Sequence, residues 1–266
     1  GSDNAFSRPL RWLFGVHGER HLTFQALDVH SGTSTRLLRT RGDVSDTYNA
    51  ANAKEYHDLL AKESIVISFE ERMTSIWNDA QNAAKSVGGV VPETARDGLL
   101  DEVANLVEAP NVVMGTYDDA FLALPKEVLV MVMRKHQRYF PVENERGELK
   151  PYFVTFANGA CDVDVVKHGN EAVLQARYED AKFFYDDDLK KTLAEFKPKL
   201  SGITFQQELG NMLEKTTRVE GLVADVAAAL GYGADVVKPA QHAAGLARAD
   251  LATSMVMELT ALAGTM

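Results

Sequence analysis

The sequence predicts an α+β fold, in which a mixed sheet-and-helix region is followed by an all-helical region. Strand-like segments separated by turn residues are frequent before about Asn170. After that position, apolar residues recur at three- and four-residue spacing and almost no strand signal remains. This change of pattern puts the boundary near residues 198–203. With 45% hydrophobic residues in 266, the chain can form one large core or two ordinary ones without disulfides or structural metal.

The first elements read as a hairpin followed by a helix and a short strand. Strands are predicted at 11–16 and 21–27, on either side of a turn at 17–20 that contains a glycine. A short apolar face predicts a helix at 48–62, and three β-branched residues predict a strand at 65–67.

The middle of the chain alternates helices and strands. Residues 70–87 have apolar side chains at helical spacing and end at Gly88-Gly89. A short helix at 99–107 and a strand at 111–114 follow, and Pro125 is expected as the first residue of a helix that continues over 126–135. Residues 139–142 and 152–157 are expected to pair as strands through a turn at 144–147.

Helices account for the rest of the predicted structure. One begins near Asn170, and a second carries apolar residues from Met212 to Leu230 and ends at Gly231. A last helix is predicted over 241–262.

Charge and cysteine content restrict the classes of function. The single cysteine, Cys161, cannot form an internal disulfide, which suits a reducing compartment. The net charge of -10 counts against a simple nucleic-acid-binding domain. The charge is uneven, however: residues 126–200 carry 13 basic and 13 acidic side chains, against 11 and 18 in residues 1–125 and 4 and 7 in residues 201–266. Any contact with RNA is therefore expected from the middle of the chain.

The two ends and the hydropathy pattern suggest a fragment that does not cross a membrane. Gly1-Ser2 is typical of a remnant left after removal of a purification tag, and residues 261–266 stop in apolar sequence. No apolar run approaches the roughly 20 residues that span a bilayer.

Three pairs of residues are candidate metal ligands. His57-Asp58 matches the centre of a metal-dependent phosphohydrolase signature, but its sequence context favours the polar side of an amphipathic helix. His17 and His21 would share a metal only on a helix, whereas a hairpin directs them apart. His242 and Asp250 could share a helical face, and no third ligand accompanies them. The sequence predicts neither a catalytic group nor a metal site.

The strongest local anomaly is the segment 133–140. It places Arg134, Lys135, His136 and Arg138 within five positions, followed by Tyr139 and Phe140. Cations attract phosphate, and aromatic rings stack on unpaired bases, so the segment could bind RNA. It could equally be a solvated helix end whose cations complement the helix dipole, with the two rings in the core.

Residues 171–188 form a charged, aromatic-rich helical segment. Ion pairs at three- and four-residue spacing, such as Arg177 with Asp180, would make it an ordinary solvated helix. The alternative is a surface that faces RNA through Arg177, Lys182, Lys190 and Lys191.

Several ordered blocks along the chain carry a resemblance to one known family. The blocks are FSRPLRW at 6–12, LLDEVANLVEAP at 99–110, FLALP at 121–125, HQRYF at 136–140, GNEAVLQARYEDAKFFY at 169–185, FQQELG at 205–210 and ADLAT at 249–253. Together they extend over nearly the whole chain, and they resemble the beta subunit of the bacterial-type heterotetrameric glycyl-tRNA synthetase.

The resemblance implies a multidomain tRNA-binding subunit. It assigns residues 3–200 to an α+β region similar to the editing-type domain of the phenylalanyl-tRNA synthetase beta subunit. Residues 201–266 would begin a helical domain related to His-Asp phosphohydrolases. The partners would be the tRNA for glycine and the alpha subunit, or a fused alpha part, which holds the active site with its ATP and Mg²⁺. No cofactor is expected in this region.

Some residues depart from the bacterial pattern. STRLL at 34–38 replaces a longer bacterial motif, and Ala109 stands where many bacterial members have Trp. With Tyr178, these differences are closer to the plant organellar form, which suggests a plastid or mitochondrial origin, with a bacterial cytoplasm as the alternative. Residues 246–250 lack a His-Asp pair, which argues against phosphohydrolase activity.

The resemblance therefore implies a non-catalytic part of glycine–tRNA ligase that scaffolds the enzyme and contacts tRNA. The residues expected to make that contact are Arg134, Lys135, Arg138, Arg177, Lys182, Lys215 and Arg218. Two alternatives remain, a His-Asp metal-dependent phosphohydrolase and an editing deacylase that clears mischarged tRNA.

Overall fold

Helices and small sheets alternate along the chain in the computed structural model, which describes residues 10–38 and 46–266. The predicted mixture of α and β elements is confirmed. The proposed tag remnant, Gly1-Ser2, and the start of the first resemblance block lie outside the described residues.

The chain divides into two compact units that are not continuous in sequence. The first comprises Gly1–Thr116 and Arg138–Glu171, and the second comprises Tyr117–Gln137 and Ala172–Met266. The boundary at 200/201 expected from the sequence falls inside the second unit. The assignment of 3–200 and 201–266 to two domain types remains a prediction.

Seven short strands open the first unit. They are β1 (Leu13–Phe14), β2 (Val16–His17), β3 (Arg20–His21), β4 (Gln25–Ala26), β5 (Val29–Gly32), β6 (Ser34–Thr35) and β7 (Tyr48–Asn49). The predicted hairpin is confirmed, because β2 pairs with β3 in antiparallel register and Gly18 between them has a positive φ of 57°. The two strands predicted there are shorter than expected. β5 pairs with β1 in parallel and with β4 in antiparallel register.

The first helix, α1, covers Ala53–Lys62. The N-cap residue of α1 is Asn52, whose side chain accepts a hydrogen bond from the Glu55 N–H at 2.9 Å. The predicted start at residue 48 was too early, because Tyr48 belongs to β7. The strand predicted at 65–67 was wrong. The Val66 N–H donates to the Glu108 carbonyl and the Val66 carbonyl accepts from Arg72, so single bonds hold this segment instead of a strand ladder.

One long helix lies against an antiparallel sheet and forms the core of the first unit. The helix is α2 (Phe69–Ser86), followed by α3 (Asp101–Leu106), and the sheet consists of β8 (Pro110–Thr116), β9 (Phe140–Glu143) and β10 (Leu149–Asn158) in the order β8-β10-β9. Ile76, Ala80 and Ala84 recur along one face of α2 and are fully buried. These helices, strands and the 144–147 turn confirm the prediction closely.

Helices dominate the second unit. They are α4 (Lys126–Met131), α5 (Val163–Asp188, of which the residues to Glu171 belong to the first unit), α6 (Leu193–Phe196), α7 (Met212–Ala229), α8 (Ala234–Leu246) and α9 (Ser254–Glu258). Pro125 precedes α4 instead of opening it, and the helix continues as a π-helical turn over Val132–Gln137. A small antiparallel pair, β11 (Thr204–Gln206) and β12 (Gly210–Asn211), interrupts the helices, and it was not predicted.

The single helix predicted over 241–262 was wrong. α8 ends at Leu246, and a 3₁₀ turn over Ala249–Ala252 separates it from α9. Two buried carboxylates explain the break. Asp250 accepts a hydrogen bond from the Gly264 N–H at 2.6 Å, and Asp188 accepts from the Ser254 and Met255 N–H groups at the start of α9.

A fully buried tyrosine holds the second unit together around α5. The ring of Tyr178 packs against Tyr117 and Phe121, with centroids 5.1 and 5.4 Å away, and its hydroxyl donates to the Leu129 carbonyl at 3.2 Å. Burial raises the pKa of Tyr178 well above its ordinary value. A separate apolar cluster contains Phe196, Leu200, Met212, Ala249 and Ala252. Among the described residues, no helix is both long and apolar enough to cross a membrane.

Two glycines with opposite surroundings test the packing of the first unit. A Cβ on Gly115 would lie 2.3 Å from Cζ of the buried Phe153 ring, whereas a Cβ on Gly169, inside α5, would meet nothing within 4 Å. We expect Gly115→Ala to lower the free energy of unfolding by about 1–3 kcal/mol through overpacking. Gly169→Ala should raise it by about 0.5–1 kcal/mol, because alanine restricts the unfolded chain. Urea unfolding measures both, and equal effects of the two changes would contradict this packing.

Candidate nucleic-acid interface

The basic segment 133–140 separates into exposed cations and buried rings. Lys135 is exposed and Arg134 is half-buried on the π-helical turn, both in the second unit. Arg138, in the first unit, has a positive φ of 58° and donates through Nε to Oε1 of Glu102 at 2.7 Å. The structure brings no carboxylate to Lys135 within the described part of the chain.

Tyr139 and Phe140 belong to the core, so their suggested role in stacking on bases was wrong. The Tyr139 ring lies 4.5 Å from that of Phe153 and nearly parallel to it, and Phe140 is fully buried. Burial raises the pKa of Tyr139 to about 12. Neither ring can stack on an RNA base while the sheet remains folded.

Arg177 lines a small cleft in the second unit with groups of both signs. The other polar side chains are His136, Asp180 and Glu258, and the apolar floor includes Phe184. Within the described residues, Arg177 makes no hydrogen bond or ion pair, including the expected one with Asp180. The cleft has about 310 Å³ of empty space, but only about 20 Å³ admits the centre of a water molecule, which is room for about one water. It is too small for a base, so Arg177 is available to a phosphate only from outside.

Three other predicted cations have partners within the second unit. Lys182 forms an ion pair with Asp186 one turn along α5. Lys215 places Nζ 3.7 Å from the centroid of the half-exposed Phe205 ring, and Arg218 donates to the Leu209 carbonyl at 3.0 Å. Contact with a phosphate would require Lys182 to share or give up its carboxylate.

A lysine cluster lies where α5 turns into α6, and we define it as Lys190, Lys191 and Lys199. Nζ of Lys190 lies 3.2 Å from one oxygen of Asp187, and Nζ of Lys191 lies 3.8 Å from the other. Lys191 and Lys199 both approach the ring of Phe196, at 5.8 and 4.9 Å from its centroid.

The carboxylates near the lysine cluster are shared or bound to other groups. Asp187 is shared by two lysines, and Glu195 directs its oxygen to the backbone N–H and hydroxyl of Thr192 at 2.8 and 2.9 Å. Asp186 pairs with Lys182, and Asp188 accepts from two backbone N–H groups. Lys199 has no carboxylate oxygen within 4 Å among the described residues. The Lys190 side chain is 69% exposed, so solvent and ligands can reach it.

The lysine cluster was only partly visible in the sequence. Lys190 and Lys191 appeared as an extension of the 171–188 helix, and Lys199 was missed. The signal that could have found it is the Phe196-Lys197-Pro198-Lys199 run, in which two lysines follow an aromatic residue closely. Lys197 itself pairs with Glu220 at 2.8 Å.

The pairs considered as metal ligands have other roles. His17 pairs across the hairpin with Arg20 and His21 with Val16, so the two histidines are on opposite faces, as expected. Asp58 pairs with Lys54 at 2.5 Å on exposed α1. His242 and Asp250 share no helical face, because α8 ends between them. Among the described residues, no three His, Cys, Asp or Glu side chains are grouped closely enough to hold a metal ion.

Comparison with known proteins identifies one family along the whole chain. The family described as Glycyl-tRNA synthetase beta subunit matches residues 1–266. The protein from Arabidopsis thaliana named Glycine–tRNA ligase, chloroplastic/mitochondrial 2 is 46% identical over 263 residues, which are 98% of this chain and 24% of that protein.

Bacterial relatives are similar over the same length. The protein named Glycine–tRNA ligase beta subunit is 38% identical over 262 residues in Halothermothrix orenii and 39% identical over 262 residues in Shouchella clausii. The matches cover 98% of this chain in both cases, and 38% and 37% of the two relatives. The chain thus spans less than two fifths of the length of these relatives.

The charge balance of the lysine cluster can be measured at Asp187. Lys190, through its hydrogen bond, and then Lys191 hold the pKa of the Asp187 carboxyl below its ordinary value. We expect Lys190→Gln to raise this pKa towards the ordinary value, and Lys199→Gln to raise it less, because Lys199 is the weakest contributor. The pairing stabilises the fold above the pKa of the unfolded chain, and that stability is lost as pH falls through the folded pKa. A ¹³C NMR titration of the carboxyl measures both shifts, and a larger effect of Lys199→Gln would contradict the geometry.

Proposed function

The chain belongs to the glycyl-tRNA synthetase beta subunit family, and on that premise we propose that it is a tRNA-contacting, non-catalytic part of glycine–tRNA ligase. The whole enzyme would attach glycine to its tRNA at the expense of ATP. ATP and Mg²⁺ would bind at the alpha subunit, or at a fused alpha part, outside this chain. The identities of 46% and 38% with a plant organellar and a bacterial relative support either a plastid or mitochondrial location or a bacterial cytoplasm.

The two parts of the chain would correspond to two regions of the longer subunit. Residues 3–200 would be similar to the editing-type domain of the phenylalanyl-tRNA synthetase beta subunit. Residues 201–266 would begin a helical domain related to His-Asp proteins. The mixture of small sheets and helices before residue 200 and the preponderance of helices after it support this correspondence.

The observation that carries the proposal is the lysine cluster at the end of α5. Among the described residues, the one carboxylate within ion-pair distance of its three ammonium groups is that of Asp187, and the three lysine side chains are accessible to solvent, in a chain with a net charge of -10. Ammonium groups bind phosphate without reading sequence and release counterions from the nucleic acid. Such contacts position a tRNA, and its sequence would be read elsewhere.

The cations predicted from the sequence differ in how readily they could bind phosphate. Lys135 and Arg177 have no hydrogen bond or ion pair among the described residues. They could therefore bind phosphate without breaking an interaction within the chain. Arg138 and Lys182 would have to share a carboxylate. Lys215 and Arg218 could contact phosphate while they keep their ring and carbonyl partners.

Replacing the lysine cluster by glutamine in the whole enzyme tests the proposal. We expect Lys190→Gln, Lys191→Gln and Lys199→Gln together to weaken tRNA binding roughly tenfold or more at physiological salt. The slope of log affinity against log salt should fall by about 2, because each lost phosphate contact removes about 0.7–0.9. The KM for tRNA should rise while kcat at saturating tRNA stays the same, because the lysines take no part in the chemical step.

A matched control removes three exposed lysines elsewhere. Lys62→Gln, Lys85→Gln and Lys238→Gln change the net charge equally but affect helix positions apart from the cluster. Filter binding or fluorescence anisotropy at four salt concentrations compares the two triple variants. If both weaken tRNA binding equally, only overall charge matters, and the proposed contact surface is wrong.

A second triple variant tests the group predicted from the sequence alone. Alanine at Arg134, Lys135 and Arg138 should weaken tRNA binding mainly through Lys135, since Arg138 already forms an ion pair with Glu102. Lys135→Ala alone should therefore reproduce most of the loss. Unchanged affinity of the triple variant would remove these three residues from the interface.

A further inference from the structure

Helix α7 carries a row of exposed apolar side chains that the proposed RNA contact does not use. Leu222, Val226 and Leu230 follow one another at four-residue spacing and are 56%, 56% and 66% exposed. Residues four apart lie above one another on the same face of a helix. We call these three residues the apolar row.

Further large apolar side chains are exposed after the apolar row. They are Tyr232 in the turn and Val236 near the start of α8. α8 packs mainly on α7, and α7 packs also on the Lys197–Gly202 turn. A helical pair buries only the stripes that face each other, so a remaining apolar stripe requires another layer.

The charge around the row favours a protein as its occupant over a nucleic acid. From position 222 to 236, which includes the row and the turn after it, the charged side chains are Asp225 and Asp235, and both would repel phosphate. Arg218, one of the residues proposed to contact tRNA, lies one turn before Leu222 on the same face and donates to the Leu209 carbonyl. Contiguous exposed apolar surface of this kind is typical of a protein–protein contact.

The lengths of the relatives identify the source of that protein. The chain spans 38% and 37% of two bacterial relatives and 24% of the plant one, so most of the polypeptide of these family members lies outside the 266 residues. A segment of the same polypeptide meets the row at an effective concentration that a separate chain would have to match. An intramolecular occupant is therefore favoured over a second copy or another subunit.

We propose that the apolar row on α7 is the docking site of a segment of the longer beta subunit that lies outside these 266 residues. The segment would present apolar side chains at three- and four-residue spacing, as an amphipathic helix does when it packs into a groove. This inference rests on the proposal that the chain is part of a longer glycyl-tRNA synthetase beta subunit, and its tests are made without tRNA.

Cysteine reactivity on two faces of α7 tests the docking. Val226→Cys places a thiol in the row, and Ala228→Cys places one two positions on, on the far side of the helix; both positions are exposed. The variants are made in a Cys161→Ala background, which removes the native thiol. Alkylation rates are measured in the 266-residue chain, in the full-length subunit and in the full-length subunit with its alpha partner.

We expect both thiols to react rapidly in the 266-residue chain at every protein concentration. In the full-length subunit alone, Val226→Cys should react at least tenfold more slowly, while Ala228→Cys keeps its rate. Equal rates in the full-length subunit overturn the proposal. Slow alkylation of Val226→Cys only when the alpha partner is present would assign the row to another chain. Slow alkylation in the 266-residue chain at high protein concentration would assign the row to a second copy. Either result also overturns the proposal.

A charged substitution gives a second readout that does not depend on thiol chemistry. Val226→Glu should lower the Tm of the full-length subunit by several degrees more than Ala228→Glu does, because only the former buries a carboxylate under the docked segment. In the 266-residue chain, the two variants should melt within about a degree of each other. An equal decrease in Tm for Val226→Glu and Ala228→Glu in the full-length subunit would contradict docking on this face.

Discussion

The burial of Tyr178 is the constraint on which the second unit depends. Its ring packs against Tyr117 and Phe121, and its hydroxyl donates a hydrogen bond to the Leu129 carbonyl. One side chain of α5 therefore holds a segment that lies about fifty residues earlier in the chain. This is why the unit joins Tyr117–Gln137 to Ala172–Met266. A buried hydroxyl with its partner removed would cost more than the bond contributes, which makes the contact specific as well as stabilising.

The same burial decides which side chains of α5 can reach a ligand. Leu174, Tyr178 and Ala181 recur at four- and three-residue spacing and point inwards. Arg177 and Lys182 flank this buried stripe and are consequently exposed. The C-terminal end of the helix is held by Asp188, whose carboxylate accepts from two N–H groups of α9. Lys190 and Lys191 follow this anchored residue after Leu189, so the lysine cluster extends from a fixed point and not from a free helix end.

What the sequence could predict follows from the range of the interactions involved. α2 and α7 were predicted well because their signals are local: Ser68 and Asn211 cap their first turns, and Gly88 and Gly231 end them with positive φ. The helix expected over 241–262 failed because its interruption depends on Asp188, which binds residues 66 and 67 positions away.

The candidate site shows the same limit. A list of cations can be read from the sequence, but the pairing of Arg138 with Glu102 joins residues 36 positions apart and is invisible there. The division into two units likewise results from long-range packing, because each unit combines two separate segments of the chain. A boundary based on composition divides the chain at a single position and cannot describe such units.

An acidic chain can still hold RNA because contact depends on local charge. At physiological salt, exposed charges separated by more than about 8 Å are largely screened from each other. Several carboxylates are directed to backbone N–H groups at helix starts, among them Glu195 and Glu214, whereas the ammonium groups of the lysine cluster extend into solvent. The apolar row on α7 has no such dependence on salt, because burial of apolar surface is not screened. Under the two proposals, high salt would therefore release tRNA from the lysine cluster while the docked segment stays in place.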